Sequence, residues 1–311
     1  MKIIRNILPV LVLMLVFNTG TIAQGCSDAG VCTINTMKDH TFSILPEDKN
    51  KNHIKTGITY GLGEYNINVT NPYVEFTSFV SEGFSLSGKI SYAFITGELA
   101  SVNNLSDVII TANKHIYKKE MSLLALAIGG KIPLNNANTK EDNNPLPMHY
   151  QTSLGTYDLV VGLNYRYMDF GASLALQQPL INSNKNEFIA PDDITLEAAK
   201  FPSTNSYDRK GDLMARLSYN IDVVFQKLII RPGILSIYHL ANDTFDDING
   251  DEQEIEGSAG LTLNANIFVT YYFASNKHLE LVAGFPFVTR DARPDGLTRD
   301  LVLGLEYTYS F

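Results

Sequence analysis

Residues 305–311 read LEYTYSF, and the alternation in this stretch decides how the rest of the chain is read. Leu305, Tyr307, Tyr309 and Phe311 fall on one side of an extended segment, with Glu306, Thr308 and Ser310 on the other, because successive side chains of a strand point to opposite faces. As the bare edge of a soluble sheet, such an apolar face would invite aggregation. As the closing strand of a barrel at a membrane interface it would not, since lipid takes the apolar face. The same division recurs upstream. Tyr157, Leu159, Val161, Leu163, Tyr165 and Tyr167 oppose Asp158, Gly162, Asn164 and Arg166. Phe84, Leu86, Ile90, Tyr92 and Phe94 oppose Ser85, Ser87, Lys89 and Ser91, while Leu261, Leu263, Ile267, Val269, Tyr271 and Phe273 oppose Thr262, Asn264, Asn266 and Thr270.

Counting such segments predicts twelve strands: 55–67, 72–81, 83–98, 106–118, 121–133, 151–167, 169–180, 211–221, 226–240, 257–274, 277–289 and 298–311. The first and fourth alternate too poorly for their faces to be assigned. Turns after the even-numbered strands are tight, as at Ser81-Glu82-Gly83, Lys118-Lys119-Glu120 and Ser275-Asn276-Lys277. Connections after the third, fifth, seventh, ninth and eleventh strands are read as longer, including 134–150, 181–210 and 241–256, and only the first odd one, near Asn68–Asn71, as short. Short turns at one end and long loops at the other are the mark of an outer-membrane barrel with both termini on the periplasmic side. An even strand count lets the last strand pair with the first. The fold class is therefore all-β, a transmembrane antiparallel β-barrel of about twelve strands over residues 55–311.

The first residues, MKIIRNILPVLVLMLVFNTGTIAQ, place Lys2 and Arg5 ahead of an apolar run from Ile7 to Phe17 and end on small residues. This predicts a secretory signal peptide over residues 1–23. A lipidated Cys26 is the weaker alternative, because Ala23 and Gln24 fit poorly before it. Without the signal the chain carries a net charge of −11 (22 basic against 33 acidic residues), so nucleic acid is not an expected partner. Cys26 and Cys32 are the only cysteines, and in an oxidising compartment they are expected to close a small disulfide loop. Residues 24–54 form either a hatch folded into the lumen or a loose periplasmic tail. Neither a cofactor nor a metal is expected.

The C-terminal alternation ending in Phe resembles the assembly signal of bacterial outer-membrane barrels. That resemblance assigns Tyr307, Tyr309 and Phe311 to recognition by the barrel-assembly machinery. The stretch GKISYAFITGELASVNNLSDVIITANKHIY, followed by ALAIGGKIPL within residues 88–134, resembles the barrel family described as a putative MetA-pathway of phenol degradation, related to FadL-type transporters. Here Ser106-Asp107 and Ile132-Pro133-Leu134 stand in place of that family's recurring elements. The resemblance implies passive uptake of a small hydrophobic or amphipathic solute across the outer membrane. It carries over no binding residue.

Read by parity, the lumen-lining candidates are Lys89, Lys131, Arg166, Arg216 and Arg231 against Glu75, Asp158, Asp212, Glu280 and Glu306, with Asn164 among the polar positions. Equal numbers of each sign argue against strong ion selectivity and suit a network of paired charges. Pro232 and Pro286, inside predicted strands, remove a ladder hydrogen bond; they read first as strand ends or bulges without function, and the FadL-type resemblance makes them candidates for a defect in the wall through which solute leaves sideways. The acidic loop 242–256 fails the calcium-loop order, with Phe245 at the first ligand position, and reads as solvated. In RPDGLTR, residues 293–299, a turn is expected whose arginines pair with Asp295, Asp300 or lipopolysaccharide phosphates. The six histidines are scattered beside no nucleophile. An outer-leaflet lipid hydrolase is thus the least favoured reading. A structural or surface-interaction barrel with a closed lumen is the main alternative to uptake. Expected partners are outer-membrane lipid and lipopolysaccharide, the assembly machinery and the solute.

Overall fold

A computed structural model of the protein describes residues 52–224, 227–296 and 299–311. The signal peptide, the Cys26 and Cys32 pair and nearly all of the 24–54 segment lie outside the described residues. Twelve strands form the wall: β1 (His53–Gly63), β2 (Asn68–Ser81), β3 (Phe84–Thr96), β4 (Ser101–Lys119), β5 (Ser122–Pro133), β6 (Thr156–Tyr167), β7 (Phe170–Asn182), β8 (Asp212–Tyr219, continued by Ile221–Val224), β9 (Leu228–His239), β10 (Gly260–Ala274), β11 (Lys277–Val288) and β12 (Arg299–Ser310). Each pairs antiparallel with its successor, and β12 pairs with β1 from His53↔Ser310 to Gly63↔Arg299. The ring is closed, so each strand has a hydrogen-bonded neighbour on both sides, as a membrane span requires.

Burial alternates with period two around this ring. Ile54, Ile58, Tyr60, Val74, Phe76, Leu159, Val161, Leu163, Leu303 and Leu305 face out and are exposed, while the residues between them are buried or half-buried. Exposed large apolar residues over a whole barrel surface are what lipid requires. Tyr165, Tyr167, Phe170, Tyr219, Tyr271, Phe273, Tyr307, Tyr309 and Phe311 ring the end that carries the tight turns, where aromatic side chains bridge apolar and polar layers. Phe311 stacks on Phe76 and Tyr309, with ring centres 6.5 and 6.0 Å away.

The two strands whose faces the sequence left open have physical explanations. In β1 the inward positions are His53, Lys55, Gly57, Thr59, Gly61 and Gly63, and glycine gives a polarity pattern nothing to show. Gly57 is required: a Cβ there would lie 2.6 Å from the Tyr73 ring, which covers it from β2. In β4 the pairing slips between Ile90 and Tyr92 of β3 and again between His115 and Tyr117. Each bulge swaps the faces. The strand also begins at Ser101, so the β3–β4 link is only residues 97–100, a correction to the longer loop expected there. Likewise β6 starts at Thr156, because residues 151–155 turn inward and are buried.

Candidate functional site

The interior divides into layers. Towards the tight-turn end, the Lys55 ammonium lies between Glu75 and Glu306 at 3.6 and 3.8 Å, all three nearly inaccessible. Lys89 sits over the Tyr73 ring, 3.9 Å from its centre. Across the lumen, Arg216 and Arg231 flank Phe268 at 5.4 and 5.6 Å. Arg231 Nε donates to Asn220 Oδ1 at 2.8 Å, and Thr270 Oγ1 donates to Glu280 at 2.8 Å. Towards the long-loop end, Lys131 meets Asp158 at 3.0 Å and Asp107 at 3.7 Å and donates to Thr156 Oγ1, and Gln177 donates to Asp158. Buried charges persist when paired and hydrogen-bonded in this way. Between these layers runs an apolar stripe of inward residues, Ile109, Val160, Ala175, Met214 and Leu235, in mutual contact on β4 and β6 to β9. Gly129 of β5, paired with Val160, lets the stripe pass without interruption.

The long loops cover the mouth. Leu146, Tyr150, Phe188 and Phe201 pack against Ile67, Val69, Ala93 and Ile95 of the β1–β3 wall. Tyr150 is wholly buried, and its hydroxyl accepts from the Leu99 amide at 3.1 Å. It presses on Gly97, where a Cβ would lie 2.2 Å from the phenol oxygen. A cavity of about 30 Å³ remains, bordered by Val69, Ile95, Asp107, His149, Thr152 and Gly296. It has room for water and not for an organic solute.

An ionic latch ties these loops to one another and to the wall. Asp295 of the β11–β12 loop receives Arg290 at 3.0 Å and Arg209 of the β7–β8 loop at 3.4 Å, and Arg209 also pairs with Asp212 at the head of β8. His239 ring nitrogens lie 2.7 Å from both Asp212 and Asp243, and Tyr207 donates to Asp243 at 2.7 Å. Arg293 pairs with Glu64 of the β1–β2 turn, which His149 also approaches at 3.8 Å. Burial alone would raise the Asp295 carboxyl, but Arg290 and Arg209 outweigh it and hold the group well below the usual carboxylate range. Glu64 follows the same balance: burial pushes it up, and His149 with Arg293 bring it below its ordinary value.

All of Glu75, Lys89, Lys131, Asp158, Asn164, Arg166, Arg216, Arg231, Glu280 and Glu306 stand at inward positions, five of them almost fully buried and the others half-buried. Among them Lys131 pairs directly with Asp158, and Glu75 and Glu306 meet through Lys55, whose face the sequence could not give. Asp212 belongs to the latch. Arg293 and Asp295 do not pair with each other as the turn reading expected: each reaches a distant loop instead. Pro232 lies in an unbroken ladder with β10 and faces the break of β8 at Asn220, which Arg231 fills. Pro286 sits beside a bulge, and the β11–β12 ladder stops at Gly284↔Val302, so Phe285–Val288 have no β12 partner among the described residues. Both ring nitrogens of His239 are taken by carboxylates and Ser258 donates to the Ile255 carbonyl, which forms no nucleophile and base pair there.

No protein-family pattern matches the chain, and no curated protein does. Solved structures do. The crystal structure of the COG4313 outer membrane channel from Pseudomonas putida F1 superimposes with a TM-score of 0.56 at 12% identity, over 84% of this chain and 94% of that one. The CymD monoaromatic hydrocarbon channel (TM-score 0.46, 9% identity, 94% of each chain) and the KdgM porin in complex with disordered oligogalacturonate (0.45, 11%, 83% and 99%) are more distant. The closed twelve-strand ring, its lipid-facing surface and the first of these likenesses define a multi-pass β-barrel of the bacterial outer membrane.

Proposed function

We propose that the barrel is a gated passive channel for small hydrophobic or amphipathic solutes, the activity implied by the FadL-like resemblance of residues 88–134. The observation that carries this is the apolar stripe of Ile109, Val160, Ala175, Met214 and Leu235 on the inner wall. A water-filled porin lines its interior with polar groups, and an apolar track offers such a pore nothing. A solute bearing apolar surface would use it. In this reading the loop cover and its latch form the gate, the stretch of β11 at Phe285–Val288, paired with β10 and without a β12 partner among the described residues, is a candidate side exit, and the assembly machinery acts on Tyr307, Tyr309 and Phe311. No energy coupling is needed.

A second reading, a structural barrel with a closed lumen, draws on a different observation: Ala127, Val160, Met214 and Leu235 face inward at 0% exposure. Solute flux into vesicles and single-channel conductance of the refolded protein, measured with and without Asp295→Ala, separate the two. The uptake reading expects little flux in the native protein and a clear rise in the variant. Absence of flux and conductance from both, with heat-modifiable folding intact, would leave the structural barrel standing.

A further inference from the structure

The ionic latch contains a group whose contacts depend on a proton. His239, the last residue of β9, is 1% exposed, and its ring nitrogens lie 2.7 Å from Asp212 at the head of β8 and 2.7 Å from Asp243 at the root of the following loop. A neutral imidazole has one N–H and one lone pair, so it can donate to one of these carboxylates and must turn its lone pair on the other. An imidazolium donates to both. The two short contacts together therefore call for the charged ring.

The surroundings decide which group holds the proton. Asp212 is paired with the Arg209 guanidinium, and Asp243 accepts from the Tyr207 hydroxyl at 2.7 Å and the Lys210 amide at 2.8 Å. Donors of this kind favour ionised carboxylates, which leaves the proton on His239. From the β11–β12 loop, Asp295 receives Arg290 at 3.0 Å and Arg209 at 3.4 Å. On the β10 side His239 faces Gly260, which brings no charge. With the ring charged, Arg209, Arg290 and His239 stand against Asp212, Asp243 and Asp295, three buried cations to three buried carboxylates among the described residues. Without its proton the acids are in excess, and buried charge left uncompensated is costly. Asp243 is also where two loops meet: its amide donates to Ser258 Oγ at 2.8 Å, and the next residue, Thr244, bridges to Asp208.

We infer that His239 is a proton-operated clasp: its imidazolium fastens loops 183–211 and 240–259 to the head of β8, and loss of that proton in alkaline solution loosens them. The clasp contributes fully on the acid side of the ordinary histidine range, below roughly pH 6.5, and its contribution is lost as pH rises and the ring gives up its proton. It gives the gate of the channel a pH range. That link to uptake rests on the channel reading, whereas the clasp itself rests on the loop contacts alone.

The test follows the refolded full chain in detergent micelles from about pH 6 to about pH 9, reading cleavage of the two loops by proteinase K, with each rate normalised to that of an unfolded substrate. Cleavage of the native protein is expected to rise about tenfold over this range, since release of one proton changes an opening equilibrium by up to about tenfold per pH unit. His239→Gln, which has no proton to lose, should be cleaved at the raised rate at every pH. Tyr207→Phe, which weakens the hold on Asp243 and leaves the ring intact, should raise the rate and keep its dependence on pH. The ¹⁵N shifts of the His239 ring in labelled native protein should be those of an imidazolium at about pH 7 and change over the same range as cleavage. This readout decides the matter where the glutamine variant fails to fold. A flat cleavage rate in the native protein, a rise that persists in His239→Gln, or a neutral ring at about pH 7 would overturn the clasp. Vesicle flux that stays constant while cleavage rises would keep the clasp and overturn the loop cover as the gate of a channel.

Discussion

The two ends of the barrel solve the problem of joining strands in opposite ways. At one end, adjacent strands are linked by turns such as Glu82-Gly83 and Ser275-Asn276, and local pairing holds them. At the other, residues 134–155, 183–211, 240–259 and 289–296 fold back over the mouth and are held by contacts between residues far apart in the chain, such as Arg209 with Asp295 and Arg293 with Glu64. The turns of the first end draw their stability from ladder and lipid, the loops of the second from buried charge. Substitutions should therefore damage them on different scales and with different readouts.

The largest effect is expected from Asp295→Ala, which removes the buried carboxylate shared by Arg290 and Arg209 and leaves Arg209 with Asp212 alone. Breaking such a pair costs about 3–5 kcal/mol. The loss should appear as protease sensitivity of the long loops, with barrel resistance to detergent unchanged. Unfolding of the whole barrel by this one change would erase the contrast between the ends. Acid tests the same latch. The Asp295 carboxyl is held below its unfolded value by Arg290 and Arg209, so its stabilising contribution is complete above the ordinary aspartate range, roughly pH 4, and is lost as pH falls through the depressed value. Loop protection measured by limited proteolysis should hold from pH 7 to pH 5; its loss within that span would show that another group controls the latch.

A middle-sized effect belongs to the wall. Gly57→Ala forces Tyr73 off the surface it covers and should cost about 1–3 kcal/mol by overpacking, read as a lower unfolding temperature of the barrel with the loops still protected. Phe311→Ala removes the ring stacked on Phe76 and Tyr309 and should cost about 0.5–1.5 kcal/mol. Its sharper readout is the fraction inserted in outer membranes, which should fall if the residue also serves assembly. The smallest change is expected from Lys118→Ala, whose partner Glu82 sits in solvent 3.2 Å away. An exposed pair of this kind is worth under about 1 kcal/mol, and a greater loss would mean that the turn end leans on charge after all.

The same contrast explains what could be read from the sequence. Strands with one lipid face announce themselves by alternation, and so the ring, its strand number and the inward placement of residues such as Lys131 and Glu306 were legible before any coordinates. Lys55 was not, because the glycines on its face carry no polarity, and the reason for the nearest of them, Gly57, is Tyr73, sixteen positions further on in another strand. Asn103 and Asn104 read as loop formers yet extend β4, since a bulge lets both project without disturbing the lumen. The latch left no periodic trace at all. Arg209, Asp243 and Asp295 stand in polar loops of ordinary composition, and only the closed ring brings them within reach of one another. The long acidic loop shows the limit from the other side: most of it is a solvent-exposed hairpin, Thr244–Asp246 with Glu252–Glu254, yet Asp243 at its root is fully buried in the latch.

The seam between β1 and β12 carries a consequence for how the molecule comes into being. Residue 54 pairs with residue 309, so the ring cannot be completed until almost the whole described chain is present, and the contact that completes it has the greatest separation along the chain of any pair in the wall. Early strands can form hairpins with their neighbours, but their outer partners arrive last. Until then β1 is a bare edge with an apolar face in an aqueous compartment. Manufacture of this barrel thus depends on something shielding its opening strand for the entire transit of the rest, and the time of greatest hazard is set by the length of the chain and not by the strength of any single contact.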